Sequence, residues 1–498
     1  MTQNNKNTRI VVIGAGLGGL SAAISLASEG FSVQLLEKND KVGGKLNILT
    51  KDGFTFDLGP SILTMPHIFA DLFKRAGKDM SDYVQIEKVD PHWRNFFEDG
   101  TTIDLTEDAD AQRRELDKLG SNAADEFTRF MAYSKKLGTK TEAGYFAKGL
   151  DGFWDLLRFY GPIRSLLNFD VFRSMDQGVR RFISAPKLID ILNYFIKYVG
   201  SSPYDAPALM NLLPYIQYQY GLWYVKGGMY GLALAMERLA IELGVEICLN
   251  TEVEEIQTQD GRASAIRLNN GDVLPVDVVV SNMEVIPAMQ KLLHSSSAEL
   301  KKMQRFQPSC SGLVLHLGVD RIYPQLAHHN FFYSAHSRGH FDAVFHSGRL
   351  SDDPTIYVVA PVKSDPQLAP EGCEIIKILP HIPHINPDKP LSPEDYLALR
   401  ERVLIKLERM GLTDLRKHIV TEEYWTPHDI QARYYSNQGS IYGVVADRYK
   451  NLGFKAPQRS SQLKNVYFVG GSVNPGGGMP MVTLSGQLVR DKILADLA

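Results

Sequence analysis

The chain has 498 residues, 44% of them hydrophobic, with 54 lysines and arginines against 57 aspartates and glutamates. That is enough chain for two or three domains around a large core, and a formal charge of −3 gives no electrostatic basis for binding nucleic acid. The three cysteines, Cys248, Cys310 and Cys373, lie too far apart for a disulfide framework or a zinc site. They fit a reducing compartment and read as small buried hydrophobes.

In chain order, Ile10-Val11-Val12-Ile13 reads as a buried strand, Gly14-Ala15-Gly16-Leu17-Gly18-Gly19 as a tight turn, and the alanine-rich run after it as a helix. Val33-Gln34-Leu35-Leu36 is a second strand, and it ends in an acid, Glu37. The spacing is that of a dinucleotide fingerprint. Gly14 makes the turn, Gly16 lets a pyrophosphate approach the backbone, and Gly19 lets the helix pack on the strand. The helix start faces the phosphates with unpaired N–H groups, and Glu37 falls where a carboxylate accepts hydrogen bonds from the adenosine ribose. Lys6 and Arg9 ahead of an apolar run imitate a signal peptide, but the glycine spacing and the second strand speak for a folded unit. The expectation is a chain that stays inside the cell and has no transmembrane helix.

Lys38 leads to Gly43-Gly44-Lys45, a second glycine pair followed by a base. This element resembles the Gly-Gly-Arg/Lys of glutathione-reductase-type flavoproteins, which implies that Phe56-Asp57-Leu58-Gly59-Pro60-Ser61 puts small residues where a flavin ring needs backbone clearance, with a plain loop as the alternative. Residues 141–221 are helical in pattern and rich in Phe, Tyr, Trp and Leu. Between Arg158 and Lys197, the bases Arg158, Arg164, Arg173, Arg180, Arg181, Lys187 and Lys197 outnumber the acids Asp170, Asp176 and Asp190. A basic, aromatic, amphipathic insert suits docking on an anionic bilayer; an ordinary core-facing helical subdomain is the alternative.

Strands are predicted over 245–249, 253–258, 263–268 and 276–281, with hairpin turns at Asp260-Gly261 and Asn270-Gly271. Residues 286–454 mix strand patterns with proline-rich turns and read as a substrate domain. His340-Phe341-Asp342, with His346, His381 or His384, imitates a two-histidine, one-carboxylate iron site, but a flavin fold needs no metal and none is expected. The C-terminus reads as a strand over 465–469, glycine turns at Gly470-Gly471-Ser472 and Gly476-Gly477-Gly478, and a helix from near Pro480 to Leu497. The proline suits a helix start. Such a helix start beside a flavin pyrimidine would offer N–H groups to a reduced, anionic ring.

Together these motifs resemble the carotenoid desaturases and oxidases, flavoproteins related to phytoene desaturase, over essentially the whole length. Segments 59–66, 198–202, 327–332 and 471–486 look like the branch that oxidises terminal methyl groups of thirty-carbon carotenoids. The resemblance implies an α/β fold with a Rossmann-like FAD-binding domain of the glutathione-reductase type, in three pieces: 1–70, 222–285 and 455–498. It implies a mixed α+β substrate domain of 71–140 and 286–454, and a helical membrane-associating subdomain of 141–221. It implies FAD as cofactor, held by Val12, Ile13, Gly14, Ala15, Gly16, Leu17, Gly18, Gly19, Glu37, Lys38, Gly43, Gly44, Lys45, Gly59, Pro60, Ser61, Val253, Gly471, Ser472, Met481 and Val482. The chain departs from many flavoproteins at Gly471-Ser472, where Gly-Asp usually holds the ribityl chain.

The resemblance further implies an apolar carotenoid substrate and a protein of the bacterial cytoplasm, peripherally bound to the inner face of the cell membrane. It nominates no catalytic acid or base. Two other readings stay open: a desaturase of the same family, and a non-catalytic carrier of prenyl or lipid chains.

Overall fold

Runs of valine and isoleucine with almost no polar interruption set the centre of the molecule. The computed structural model describes residues 8–161, 169, 170 and 172–498; Lys6 and Arg164 lie outside them. Arg9–Ile13 is the middle strand of a five-stranded parallel sheet, flanked by Ser32–Leu36 and Glu246–Cys248 on one side and by Val278–Ser281 and Val466–Phe468 on the other. A parallel sheet is covered on both faces, so its strands are apolar throughout rather than alternating. Val278, Val279 and Val280 are all buried. Gly14, Glu37, Asn282 and the Gly470 turn follow directly on the carboxyl ends of four of these strands, the edge at which open α/β sheets take ligands. A three-stranded antiparallel meander, Val253–Gln259, Arg262–Leu268 and Val273–Pro275, hangs beside it. Cys310 is buried, but Cys248 and Cys373 are only partly so, which corrects the reading of all three as buried.

The helix Leu17–Ser28 packs against the C-terminal helix Met479–Leu497 through small residues. The Ser21 hydroxyl donates to the Thr483 carbonyl at 2.6 Å. A Cβ on Gly486 would stand 2.5 Å from Ala22 N and 2.7 Å from Gly18 O, so the backbones meet with no room for a side chain. Gly486→Leu is therefore expected to lose about 3 kcal/mol of stability by overpacking, read as a lowered midpoint of thermal unfolding.

The second sheet has eight strands, seven of them in the order Ile419–Trp425, Val314–Val319, Glu374–Ile382, Ile356–Val359, His329–Phe332, Trp93–Phe96 and Thr102–Leu105. Alternation along a strand sends successive side chains to opposite faces, and here the two faces differ in kind. The outer face carries Leu315, Leu317, Ile376, Ile378, Ile356, Val358 and Phe332, packed with Tyr396, Leu399, Val403 and Leu407 of the helix Pro393–Arg409. The inner face carries His316, Lys377, Leu379, His381, Tyr357, His329, Phe331 and Trp93 in register with one another. It faces the nucleotide sheet and the helical insert.

The insert covers that inner face with aromatic rings. Phe195 stacks on Trp93 at 4.1 Å, and Tyr194 meets Phe331 edge-on at 5.6 Å. Its first turns are held locally: Ser174 and Gln177 form a capping box on the helix Met175–Arg180. Several of these bases are held in ion pairs. Arg180 pairs with Asp176, Arg173 and Arg181 both pair with Asp170, and Lys187 pairs with Asp99. Lys197 is buried, its ammonium over the rings of Trp93, Tyr198, Phe331 and Tyr357 at 4.1–5.1 Å. Of the paired acids, Asp99 lies on another segment, which composition over a short window does not register.

Candidate functional site

The glycine turn after the first strand opens into a cavity of about 740 Å³ between the two sheets. Gly16 caps the helix Leu17–Ser28 with no side-chain hydrogen bond, and no acid occupies the first turn. The first N–H groups therefore point at the cavity without a protein acceptor from a side chain, the arrangement that takes a phosphate. The second glycine pair closes over this turn, with the Gly43 N–H donating to the Ala15 carbonyl at 2.8 Å. Glu37 is buried beside it. Its Oε2 accepts from Ala15 N at 2.8 Å, and its Oε1 accepts from both nitrogens of Asn39 at 2.7–2.9 Å. The carboxylate is thus locked in orientation and keeps acceptor capacity for a ribose.

The loop through Gly59 is tied from three sides. The buried Lys377 ammonium donates to the Asp57 carbonyl at 2.8 Å, to the Gly59 carbonyl and to Ser61 Oγ at 3.0 Å. Burial pulls this lysine down to about 8, against the opposing pull of Asp57. The Asp57 carboxylate accepts from the N–H groups of Met229 and Tyr230, while burial raises its pKa. A Cβ on Gly59 would fall 1.7 Å from the Lys45 carbonyl oxygen, so only glycine fits there. At the far end, Tyr442 runs against the C-terminal turn: a Cβ on Gly477 would stand 2.5 Å from its carbonyl oxygen. The helix Met479–Leu497 then starts from Gly478 with no side-chain cap.

Of the residues expected to hold the cofactor, Ile13, Gly14, Gly16, Leu17, Gly18, Glu37, Lys38, Gly43, Gly44, Lys45, Gly59, Pro60, Val253, Gly471 and Val482 line this cavity. Six do not. Val12 is inside the sheet, and the Ala15 N–H is committed to Glu37. Gly19 lies against the Gly14 carbonyl, where a Cβ would approach to 2.0 Å. Ser61 Oγ serves Lys377 and Ser472 Oγ accepts from Val285 N, so the serine replacing the usual aspartate braces the backbone instead. Met481 packs into a satellite cluster with Met65 and Tyr215. The two bases are also occupied: Lys45 pairs with Glu284 at 3.0 Å, and Lys38 sits over the Tyr435 ring.

Lys377, Tyr442 and Asn282 also line the cavity and carry no motif that singles them out. Lys377 had one usable signal, a lone base at an alternation position inside Glu374–Ile382. An uncapped helix start, a buried acid after the second strand, and an apolar wall of Val314, Leu379 and Ile441 fit the phosphates, ribose and ring system of FAD. Among the described residues no group of histidine, cysteine or acid side chains is arranged to hold a metal.

The family model for flavin-containing amine oxidoreductases matches residues 17–494. The chain is 82% identical over 494 residues to a 4,4'-diapolycopene oxygenase of Methylomonas sp., covering 99% of both proteins. It is 52% identical over 488 residues to the 4,4'-diaponeurosporene oxygenase of Staphylococcus haemolyticus, covering 98% of this chain and 97% of that one. Its fold matches that of putrescine oxidase bound to putrescine with a TM-score of 0.67 at 14% identity, covering 98% of this chain and 99% of the other. The chain belongs to the flavin-containing amine oxidoreductases, an FAD-dependent oxidoreductase of the carotenoid desaturase and oxygenase group.

Proposed function

We propose that the protein oxidises the terminal methyl group of a thirty-carbon carotenoid, 4,4'-diaponeurosporene or 4,4'-diapolycopene, to an aldehyde. The observation that carries this reading is the 82% identity to a 4,4'-diapolycopene oxygenase along the whole of both chains. The cavity supports it. A linear polyene offers no polar handle, so its site must be apolar and enclosed. Val314, Leu379, Ile441 and Trp425 are among the apolar residues that line the cavity.

FAD, when bound, accepts the electrons removed from the substrate carbon. The chain's own residues do the positioning: Glu37 and the bare helix start for the nucleotide end, Gly59, Pro60, Lys377 and Gly471 for the ring end. We assign the nucleotide domain to 1–70, 222–285 and 455–498, the substrate domain to 71–140 and 286–454 and the helical subdomain to 141–221, with a nucleotide fold of the glutathione-reductase type.

Membrane docking forms part of the proposal, and exposed aromatic residues support it. Trp154 is 79%, Phe172 77% and Tyr449 80% exposed, with Phe153 beside Trp154. Arg448 binds the carbonyls of Phe172 and Tyr204 and so joins two of these segments. A series of rings runs inward from there, Tyr204 to Phe341 at 5.9 Å and Phe341 to Tyr194 at 6.2 Å. No described helix is long and apolar enough to cross a membrane, so the proposed contact is peripheral, on the inner face of a bacterial cell membrane. Because Arg180 and Arg181 are consumed in ion pairs, the aromatics are the residues to change. Replacing Trp154 and Phe172 together by Asp is expected to lower partition onto anionic liposomes by at least about 100-fold, each side chain contributing at least about 1.5 kcal/mol. Flavin content should not change. Equal co-sedimentation of variant and parent would return this segment to an ordinary surface.

The test of function is expression in a carotenoid-free bacterium supplied with diapophytoene or diaponeurosporene, with mass analysis of the pigments. Pigment carrying one more oxygen and two fewer hydrogens supports the oxygenase. Loss of hydrogen alone would make the protein a desaturase.

A further inference from the structure

The C-terminal glycine turn at the cofactor cavity has little stiffness of its own. Asn474-Pro475-Gly476-Gly477-Gly478 ends in three consecutive glycines, and Gly477 and Gly478 line the cavity. Glycine loses more conformational freedom on ordering than any other residue, so such a turn must be held from outside. Asp151 of the helical insert holds it on both sides. Ahead of the turn, Asn474 Nδ2 donates to the Asp151 carbonyl at 3.0 Å and to its Oδ1 at 3.1 Å. Behind it, Lys492 of the helix Met479–Leu497 pairs with Asp151 Oδ2 at 2.7 Å. The Gln458 N–H donates to the same oxygen at 3.1 Å. A Cβ on Gly149 would stand 3.0 Å from a Leu488 methyl carbon, so residues 149–151 lie along the helix face that carries Leu488 and Lys492, four positions apart.

The same aspartate leads into the helix Phe153–Tyr160, which carries the exposed Phe153 and Trp154. The Asp151 N–H donates to the Asp155 carboxylate, in the first turn of that helix, at 3.0 Å. No residue of the helix is buried. A helix of eight residues without a buried face draws little stability from its own hydrogen bonds or from tertiary packing. At its far end the Tyr160 hydroxyl donates to the Lys140 carbonyl; at its start it is bonded to the residue that braces the turn. A bilayer that takes up Phe153 and Trp154 favours the ordered helix over frayed forms.

We propose that Asp151 is a positioning residue that couples membrane docking to retention of FAD. Contact of the helix Phe153–Tyr160 with a lipid surface fixes Asp151, and Asp151 fixes the glycine turn against the cofactor. The inference rests on the docking reading above.

The test is release of FAD from full-length, FAD-loaded protein on dilution, read as free-flavin fluorescence, in buffer and on anionic liposomes. Co-sedimentation is measured alongside. The parent is expected to release FAD about ten-fold more slowly on liposomes, the worth of about one hydrogen bond. Asp151→Ala removes the carboxylate contacts on both sides of the turn. It should release FAD about ten-fold faster than the parent in buffer and gain less than about two-fold from liposomes, while still co-sedimenting. Asp155 is exposed, so its replacement spares the fold and decides the matter alone where Asp151→Ala does not fold. Asp155→Ala should keep release in buffer within about two-fold of the parent and lose the slowing on liposomes. Asp155→Asn keeps an acceptor for the Asp151 N–H and should restore it.

Equal slowing on liposomes in the parent and the alanine variants, all co-sedimenting, would overturn the proposal and leave Asp151 a plain brace. A parent that co-sediments but releases FAD equally fast in buffer and on liposomes would overturn it as well. A parent that does not co-sediment would refute the docking reading, and the coupling with it.

Discussion

Gly16→Val is expected to yield a colourless protein that does not take up added FAD. A Cβ at this position lies 2.6 Å from Asn282 Nδ2 and 4.0 Å from the Gly44 Cα. Valine adds two methyl groups beyond that point, at the cap of the helix Leu17–Ser28 and over its open N–H groups. Asn282 can rotate away, but the methyls then occupy the path of the phosphates, and the backbone can no longer approach them. Dinucleotide affinity should fall beyond measurement. The check is flavin absorbance per mole of purified protein, followed by titration with FAD. A yellow Gly16→Val protein would remove the nucleotide from this cavity.

Lys377→Met has the second large effect. The ammonium holds three acceptors of the 57–61 loop, and it faces the buried Asp57 carboxylate. Methionine fills similar volume but leaves three buried acceptors and a carboxylate without their cation, a loss of about 3 kcal/mol or more. The loop carrying Gly59 and Pro60 should loosen, and turnover should fall by about 100-fold.

The same lysine sets a pH dependence. Burial lowers its pKa from the ordinary 10.5 to about 8 in the folded protein. The charged form is the one that folding disfavours, so its contribution to stability improves as pH rises from about 8 towards 10.5. The grip on the loop moves the other way, since a neutral amine has two N–H groups for three acceptors. The flavin spectrum and turnover of the parent should therefore titrate near pH 8, with activity lost on the alkaline side. Lys377→Met should be flat over that range. A parent without this transition would detach Lys377 from the flavin end of the cavity.

What could be read from the sequence divides along a physical line. The glycine turn, the helix behind it, Glu37 and the second glycine pair are local features. Each follows from backbone geometry within a few tens of residues, and the structure gathers most of them around one cavity. The hairpin turns at Asp260-Gly261 and Asn270-Gly271 were legible for the same reason: both glycines have positive φ. Lys377 and Tyr442 were not legible, because what makes them part of the site is the register of Glu374–Ile382 against its neighbours and the approach of the C-terminal turn.

The partners of the basic insert are not local either. Asp99, which pairs with Lys187, is some ninety residues away, and the rings that bury Lys197 come from three other strands or turns. The Ser472 hydroxyl accepts from Val285 N, nearly two hundred residues away. In each case the side chain's partner lies far away in the chain.

The most direct measurement is reconstitution of the purified, FAD-loaded protein with 4,4'-diapolycopene in anionic liposomes, followed by mass analysis of the extracted polyene. The account predicts a product one oxygen heavier and two hydrogens lighter, formed by the parent and absent with Gly16→Val. Recovery of unchanged 4,4'-diapolycopene from FAD-replete parent protein would contradict it.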